Sequence, residues 1–375
     1  MKFTCTRENL VYILDLVSPL ASKHANLPIL GNILLKAQDS GVEVSATNLE
    51  IGIRAQLRAK VEQGGSFTVP AKTLADYVHL LNNEQVEIEL QENELHLVCG
   101  SSSTKIKGSS AEEYPLIPAL EEEHAYTVGA EEFRNGISKT VIAVAKNEIR
   151  PELSGICFQF LSDRFEGVIM AATDSYRLAE SRVPLKQGKD KDVRCIIPAK
   201  VAYEISRLLQ LGKNQEGEES VRLWISENQI GIRYDNFEMV SRLVDGKYPD
   251  YTQIIPEKFK TTAVFSRDIM VNKIKAASLF TTTGVNAVSF DLNVSQGNIG
   301  VSSTSTQTGE HTSDVDVEIN GEENSILLNH RYVLDGLQHM ETEEIEFGVN
   351  SADAPCIFRP KNKKEYLYIV MPIRQ

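Results

Sequence analysis

Runs of alternating apolar and polar residues recur along the chain, and they predict antiparallel strands with one face toward water. Clear examples are residues 86–90, 95–98, 221–225 and 230–234. Successive side chains of a strand point to opposite faces of the sheet, so a period of two is typical of a half-buried strand. Segments with a helical period of apolar residues stand between these runs. The pattern therefore predicts an α+β protein whose sheets are antiparallel.

Two sets of similar segments indicate an internal repeat. In the first set a short apolar run is followed by Pro or Asn and then by a helical period; its members are residues 67–81, 195–209 and 326–340. In the second set a strand-like run leads into a polar helix start; its members are residues 3–10, 126–133 and 263–270. Proline suits the first turn of a helix, because its missing N–H has no partner there.

The common order of the two sets predicts three tandem copies of one domain. Each copy is expected to hold two helices backed by antiparallel sheet. The acidic segment 121–124 and the segment 254–258 are the candidate linkers. The predicted domains are residues 1–123, 124–254 and 255–375.

The charge balance argues against a protein that is basic throughout. The chain has a net charge of −13, and the three predicted domains hold 10 basic against 17 acidic residues, 18 against 19, and 11 against 16. Binding to phosphates needs clustered Lys and Arg. Since no domain has an excess of basic residues, any surface for nucleic acid must be local.

Basic residues at equivalent places in the copies offer such a local surface. Three pairs are each seven residues apart, and they are Lys72 with His79, Lys200 with Arg207, and Arg331 with Gln338. Seven residues are nearly two helical turns, so each pair shares one helix face. Lys139 and Lys146 have the same spacing in the other predicted helix of the middle copy. Alignment across three copies of an acidic protein favours a repeated basic stripe that meets phosphates over an ordinary solvated face.

The sequence contains little that indicates catalysis. It has no phosphate-binding loop, dinucleotide fingerprint, zinc-protease helix or nucleophile elbow. Seven scattered histidines and five widely spaced cysteines predict no metal site, no cofactor and no disulfide framework. No apolar run approaches the roughly 18 residues of a membrane helix, and the first residues lack a secretion signal. We expect a non-enzymatic, cytoplasmic binding protein with no membrane contact.

Four stretches closely resemble the bacterial DNA polymerase III β subunit family, the sliding clamps. They are residues 27–35 (LPILGNILL), 172–179 (ATDSYRLA), 241–251 (SRLVDGKYPDY) and 368–374 (YIVMPIR). The resemblance spans the whole chain in the right order. It implies a homodimer closed head to tail into a six-domain ring, with the helices lining the hole and the sheets outside. Such a ring encircles double-stranded DNA without sequence preference, slides along it and holds the polymerase to its template.

Three sets of site residues follow from the helix pattern and the resemblance. The residues expected to face DNA are Lys23, His24, Lys72, Lys146, Arg150, Lys200 and Arg207. A hydrophobic pocket for short linear motifs is expected at Leu153, Thr173, Ser175, Tyr176, Arg177, Leu178, Pro249, Ile254, Ala352, Ala354, Ile369, Met371, Pro372 and Ile373. Its partners would be the polymerase III catalytic subunit, the clamp loader, other polymerases and repair proteins. The subunit interface is expected at Thr104 and Ile106 against Leu279 and Phe280.

The sequence departs from the family pattern in the pocket. Ser175-Tyr176 replaces a frequent Gly-His, and Gln253 stands where a basic residue is often found. The peptide preference of the pocket is therefore open. Two other readings also stay open: a cytosolic hydrolase that uses acidic residues on repeated α+β domains, and a scaffold whose helices face a peptide instead of DNA.

Overall fold

The computed structural model describes residues 1–21, 27–118, 124–146, 149–212, 219–282 and 284–374. In this part of the chain there are six α-helices, two in each predicted copy. They are α1 (Arg7–Val17), α2 (Ala71–His79), α3 (Ala130–Val141), α4 (Ala199–Gly212), α5 (Arg267–Ser278) and α6 (His330–Gln338). The prediction of two helices per copy, backed by antiparallel strands, is confirmed.

The strands surround these helices in the same order in each third of the chain. The first third holds β1 (Lys2–Thr6), β2 (Asn32–Gln38), β3 (Gly41–Thr47), β4 (Ile51–Leu57), β5 (Lys60–Gln63), β6 (Gly65–Pro70), β7 (Gln85–Gln91), β8 (Glu94–Cys99) and β9 (Ser102–Lys107). The middle third holds β10 (His124–Gly129), β11 (Gly155–Ser162), β12 (Phe165–Thr173), β13 (Arg177–Gly188), β14 (Val193–Pro198), β15 (Ser220–Ile225), β16 (Gln229–Tyr234) and β17 (Phe237–Arg242). The last third holds β18 (Thr261–Ser266), β19 (Ala287–Asn293), β20 (Asn298–Ser305), β21 (Gly309–Asp316), β22 (Glu318–Gly321), β23 (Asn324–Asn329), β24 (Glu344–Val349), β25 (Cys356–Pro360) and β26 (Tyr366–Val370).

Helix α1 shows how local sequence sets these elements. The side chain of Thr6 caps its first turn by accepting a hydrogen bond from the backbone N–H of Asn9. Leu10, Ile13 and Leu14 fall on one face and are at most 1% exposed. Burying each such side chain contributes about 1.5–3 kcal/mol, so the apolar face holds the helix on its sheet.

The residue before three of the helices differs from the expected position. Pro70 and Pro198 end their strands, and helices α2 and α4 begin one residue later, so neither proline lies in the first turn. Asn329 precedes α6, and its side chain accepts a hydrogen bond from the N–H of Arg331. Proline there removes an N–H that the end of a strand does not need, and it still blocks extension of the helix backwards.

The first compact unit comprises residues 1–130, 186–189 and 207–243. Its smaller sheet has the strand order β5-β1-β7-β8-β9. Its larger run of paired strands is β6-β2-β3-β4-β17-β16-β15-β10, with antiparallel pairs throughout. The pair β4–β17 joins the first third of the chain to the middle third.

The second compact unit comprises residues 131–185, 190–206 and 244–375. Its larger run of paired strands is β14-β11-β12-β13-β26-β25-β24-β18-β22, again antiparallel. Its smaller sheet has the order β21-β20-β19-β23. The pair β13–β26 joins the middle third to the last third, as β4–β17 does in the first unit.

The two units differ from the three predicted domains for a physical reason. Strands of the middle third continue the sheets of both neighbours, so contacts divide that third between the two units. Backbone pairing across a predicted boundary hides the boundary from a division by contacts. The boundaries at 123/124 and 254/255 stay predictions.

The described residues hold no helix that is long and apolar enough to cross a membrane. Within the same ranges, no three His, Cys, Asp or Glu side chains are grouped in a way that could hold a metal ion. All five cysteines are free and buried. Burial raises the pKa of the Cys5 and Cys157 thiols to about 12, which keeps both protonated and unreactive near neutral pH.

Candidate functional site

The loop between β12 and β13 is held by its own side chains. The hydroxyl of Thr173 donates to the carbonyl of Arg177 at 2.7 Å and accepts from the N–H of Ser175 at 3.1 Å. One carboxylate oxygen of Asp174 accepts from the N–H groups of Tyr176 and Arg177, both at 3.0 Å. Thr and Asp readily form such local turns, so the five residues specify the loop largely by themselves.

Ser175 sits at the tip of this loop in the left-handed region, with φ of 76°. A residue that carries a Cβ pays roughly 1–2 kcal/mol there, which glycine does not. The N–H of Thr173 also donates to the hydroxyl of Tyr248 at 2.9 Å, which anchors the start of the loop. The surrounding bonds thus hold a serine in a conformation that is common for glycine, and strained loops of this kind concentrate at binding sites.

Arg177 is a buried charge with a complete set of partners. It is 5% exposed, and its guanidinium contacts Asp335 at 2.5 Å and Asp174 at 3.1 Å. The same group lies 3.5 Å from the hydroxyl of Tyr368. Burial by itself would lower the pKa of Arg177, but Tyr368, Asp335 and Asp174 together raise it above its ordinary value. The network ties the loop to α6 and β26.

An aromatic stack rises from this buried charge toward the surface. The guanidinium of Arg177 lies 4.5 Å from the ring centroid of Tyr332. The rings of Tyr332 and Tyr176 are stacked, with centroids 6.4 Å apart and an interplanar angle of 23°. The N–H of Met371 donates to the carbonyl of Tyr176 at 2.8 Å and fixes the backbone beside it. Tyr176 is 62% exposed, so its free ring face is available to a ligand.

A cavity of about 550 Å³ opens beside this stack. Its lining residues are Ser175, Tyr176, Gly284, Val285, Asn329, Tyr332, Met371, Pro372, Ile373 and Arg374. A cavity of this size, with apolar walls and a few polar groups, suits a short apolar segment of a ligand. Arg374 alone among these ten carries a formal charge.

The structure brings together five of the predicted pocket residues in this cavity, and they are Ser175, Tyr176, Met371, Pro372 and Ile373. Thr173 and Arg177 are buried and form the frame of the loop instead of its wall. Leu178 and Ile369 are fully buried in a core cluster with Ala171, Tyr251 and Ile357. These two side chains therefore support the site from below, because core packing leaves them no surface for a ligand.

The remaining predicted pocket residues lie outside this cavity lining. Leu153 is 2% exposed and Ile254 38% exposed, while Pro249 and Ala354 are half-buried and Ala352 is exposed.

Sequence reasoning missed half of the lining. Gly284, Val285, Asn329, Tyr332 and Arg374 come from the last third of the chain, and no local motif marks them. The strand-to-helix repeat did place residues 326–340 at an equivalent position in each copy. An aromatic residue two places after Asn329, at the start of that helix, was the available signal.

The residues expected to face DNA have different environments. Lys23 and His24 lie outside the described residues. Lys72, Lys146, Arg150 and Lys200 are exposed. Lys72 contacts Asp76 one turn later at 2.7 Å, and Arg150 contacts Glu152 at 2.9 Å. Exposed pairs of this kind contribute little stability and exchange readily, so both cations stay accessible to phosphates.

Arg207 has a structural contact that the helix-face prediction did not include. Its guanidinium donates to the carbonyls of Asp15 and Leu16, at 2.8 and 2.7 Å, in the last turn of α1. A cation there satisfies carbonyls without a helical partner and interacts favourably with the helix dipole. His79, its counterpart in the first copy, contacts the side chain of Asp15 at 3.1 Å. Arg207 and His79 are therefore engaged within the protein.

The expected shared face of Lys139 and Lys146 is wrong. Helix α3 ends at Val141, before Lys146. The hydroxyl of Thr140 bonds back to the carbonyls of Gly136 and Ile137, and the N–H of Ala145 donates to Leu153 instead of continuing the helix. Lys139 itself is paired with Glu341 at 3.5 Å. A residue beyond the end of a helix does not follow the helical period.

The predicted subunit interface falls on two sheet edges. Strand β9 is the last strand of the five-stranded sheet, and β21 is the last strand of the four-stranded sheet. Thr104 is half-buried, but Ile106 is 5% exposed and packs on the core side of β9, opposite Leu95. The side chain of Ile106 is thus part of the domain core, and only the backbone of β9 remains for a partner there.

Comparison with known families covers the whole described chain. The models of the DNA polymerase III beta subunit match in succession: the N-terminal domain at residues 1–118, the central domain at 127–250 and the C-terminal domain at 252–374.

Whole-length relatives and structures agree with these matches. The chain is similar to the beta sliding clamp of Bacillus subtilis (strain 168), at 30% identity over 100% of both chains. It is 27% identical to the beta sliding clamp of Haemophilus influenzae, again over 100% of both. The crystal structure of the Bacillus subtilis clamp has a TM-score of 0.92, with 100% and 99% covered. A Pseudomonas aeruginosa sliding clamp bound to griselimycin is 25% identical with a TM-score of 0.92 and full coverage of both chains.

Proposed function

Since this chain belongs to the DNA polymerase III beta subunit family, whose members are bacterial sliding clamps, we propose that two copies close head to tail into a ring around duplex DNA. The observation that carries the proposal is the succession of three clamp domains along one chain. A ring of six such domains needs two chains and a contact between unlike ends. The chain is the processivity factor of the replicative polymerase, which it keeps on its template.

Contacts with DNA in this proposal are weak and numerous. Lys72, Lys146, Arg150 and Lys200 are exposed cations, and Lys–phosphate contacts carry no sequence information. They are screened by salt and exchange readily. A closed ring does not need tight contacts, because it stays on the duplex even when every contact is broken. Weak contacts also leave the ring free to slide.

The cavity beside Tyr176 is the proposed docking site for linear motifs. Its apolar walls and exposed aromatic ring suit the apolar anchors of a short peptide. The partners we propose are the polymerase III catalytic subunit, the clamp loader, other polymerases and repair proteins. The chain would act in the cytoplasm and tether these proteins without catalysing a reaction itself.

Retention on DNA tests the ring directly. The clamp is loaded by a matching clamp loader onto nicked circular duplex and onto linear duplex, and its loss is followed at moderate salt. We expect long retention on circles and rapid loss from linear ends, because only an open end lets a ring slide off. Equal, salt-sensitive loss from both substrates would overturn the ring and leave ordinary electrostatic binding.

A matched variant connects the result to the exposed cations. Lys200→Ala is expected to weaken equilibrium binding to duplex at low salt and to reduce its salt dependence by about one phosphate contact. Retention on circles should change little, since retention is topological.

A further inference from the structure

Two sheet edges carry opposite charge on their exposed faces. Strand β9 presents Lys105 and Lys107, and β21 presents Glu310, Asp314 and Asp316, all of them exposed. Both strands end their sheets within the described residues. An unpaired strand edge is a template for another strand, and complementary charge selects which edge it pairs with. A second copy of this chain offers the matching edge to each.

An exposed leucine stands beside the basic edge. Leu80 follows the last residue of α2 and is 85% exposed. The segment after it lies against the β8–β9 turn, because the thiol of Cys99 contacts the carbonyl of Asn82 at 3.8 Å. Cys99 pairs with Ser102, the first residue of β9. Leu80 therefore adjoins the start of the free edge.

The acidic edge has its own exposed leucine in an equivalent place. Leu279 follows the last residue of α5 and is 71% exposed. The next residue, Phe280, stacks on His311 of β21, with ring centroids 5.8 Å apart. This stack holds the end of α5 on the edge strand. Each edge thus combines a free backbone, a charge and one unburied leucine at a helix end.

We propose that Leu80 is the apolar anchor of the subunit contact on the β9 side, where it meets Leu279 of the partner subunit. The inference rests on the proposed ring. Ile106 is not available for this role, because its side chain is already in the domain core. Burying two leucines on contact removes apolar surface from water at the centre of a charged rim, which is the arrangement of a binding hot spot.

Sedimentation of the full chain tests the proposal. Leu80→Glu and Leu279→Glu are each expected to raise the dimer dissociation constant at least ~10-fold, because each places a charge in an apolar contact. Leu116→Glu is the matched control. Leu116 is 96% exposed but lies away from both edge strands in sequence and is not part of either sheet, so this variant should sediment like the unmodified chain.

A double variant separates a direct contact from an indirect effect. Leu80→Glu combined with Leu279→Lys puts opposite charges at both subunit contacts and should recover dimer that either single variant loses. Circular dichroism and thermal unfolding check that Leu80→Glu folds, and Leu80→Gln replaces it if it does not.

The outcomes distinguish this inference from the ring itself. If Leu80→Glu sediments as the unmodified dimer while Leu279→Glu dissociates, Leu80 is not the anchor and the ring stands. If both variants remain dimeric, the contact lies elsewhere and the inference is wrong. If the unmodified chain is monomeric at every concentration, the proposed ring fails first. Absence of recovery in the double variant would also overturn a direct Leu80–Leu279 contact.

Discussion

Two loops of the molecule share one backbone frame and differ in their side chains. In the first unit, the hydroxyl of Thr47 donates to the carbonyl of Ile51 at 2.8 Å and accepts from the N–H of Leu49 at 3.0 Å. Thr173, Arg177 and Ser175 make the same bonds in the second unit, at 2.7 and 3.1 Å. The tips, Leu49 and Ser175, have φ of 74° and 76°.

The agreement extends to a distant tyrosine. The N–H of Thr47 donates to the hydroxyl of Tyr114 at 3.2 Å, and that of Thr173 donates to the hydroxyl of Tyr248 at 2.9 Å. Each tyrosine precedes a proline. Burial raises the pKa of Tyr114 to about 12, so its hydroxyl is protonated at neutral pH. Both loops are therefore clamped by the same kind of Tyr-Pro segment.

The difference lies in the last two positions. In the first loop they are Glu50 and Ile51, and Ile51 is simply packed, with 5% exposure. In the second loop they are Tyr176 and Arg177, and they build the aromatic stack and the buried ion network beside the cavity. The comparison teaches that the repeat supplies a rigid frame, and that substitutions on one copy of it make a binding site.

The largest effect is expected from Arg177→Ala. Removing this cation leaves Asp174 and Asp335 without a partner, and breaking a buried ion pair costs about 3 kcal/mol or more. Denaturant unfolding measures the loss, and Arg331→Ala, an exposed change on α6, should stay within about 0.5 kcal/mol. Peptide binding should fall as well, because Tyr332 loses its support. Unfolding at the unmodified denaturant concentration would contradict the role of the network.

Tyr176→Ala should separate binding from stability. The ring is largely exposed, so stability should change by no more than about 0.5 kcal/mol. Affinity for a synthetic peptide with the linear motif of the matching polymerase subunit should drop about 10-fold, because the ring is a wall of the cavity. Glu50→Ala is the control at the equivalent place in the first loop. An equal loss in both variants, or none in Tyr176→Ala, would place the peptide elsewhere.

The smallest effect concerns the two loop tips. Ser175→Gly and Leu49→Gly each relieve roughly 1–2 kcal/mol of left-handed strain, but glycine adds about 0.5–1 kcal/mol of entropy to the unfolded chain. The net gain should be about 0.5 kcal/mol at both sites and similar in size. Thermal unfolding against Ser175→Ala measures it. A loss of stability in both glycine variants would show that the tips are not strained.

Much of the fold could be predicted because its causes are local. The period of two, the helical period and their order along the chain indicated three copies with two helices each, since backbone hydrogen bonding imposes those periods on any sequence. The Thr-Asp-Ser-Tyr-Arg loop is local in the same sense. The end of α3 was missed, because the apolar residues after Val141 continue a helical composition while their backbone bonds to Leu153.

The sequence by itself determined the repeat, the family and the frame of both loops, because these depend on neighbours in the chain. Only the tertiary structure decided which residues are available to a partner. Ile106 is covered and Leu80 is not, although both are aliphatic residues near the same edge. Arg207 holds the end of α1, while Lys200 on the same helix is exposed. Exposure depends on which distant residues pack against a side chain, and that is set by the assembled fold and not by residue type.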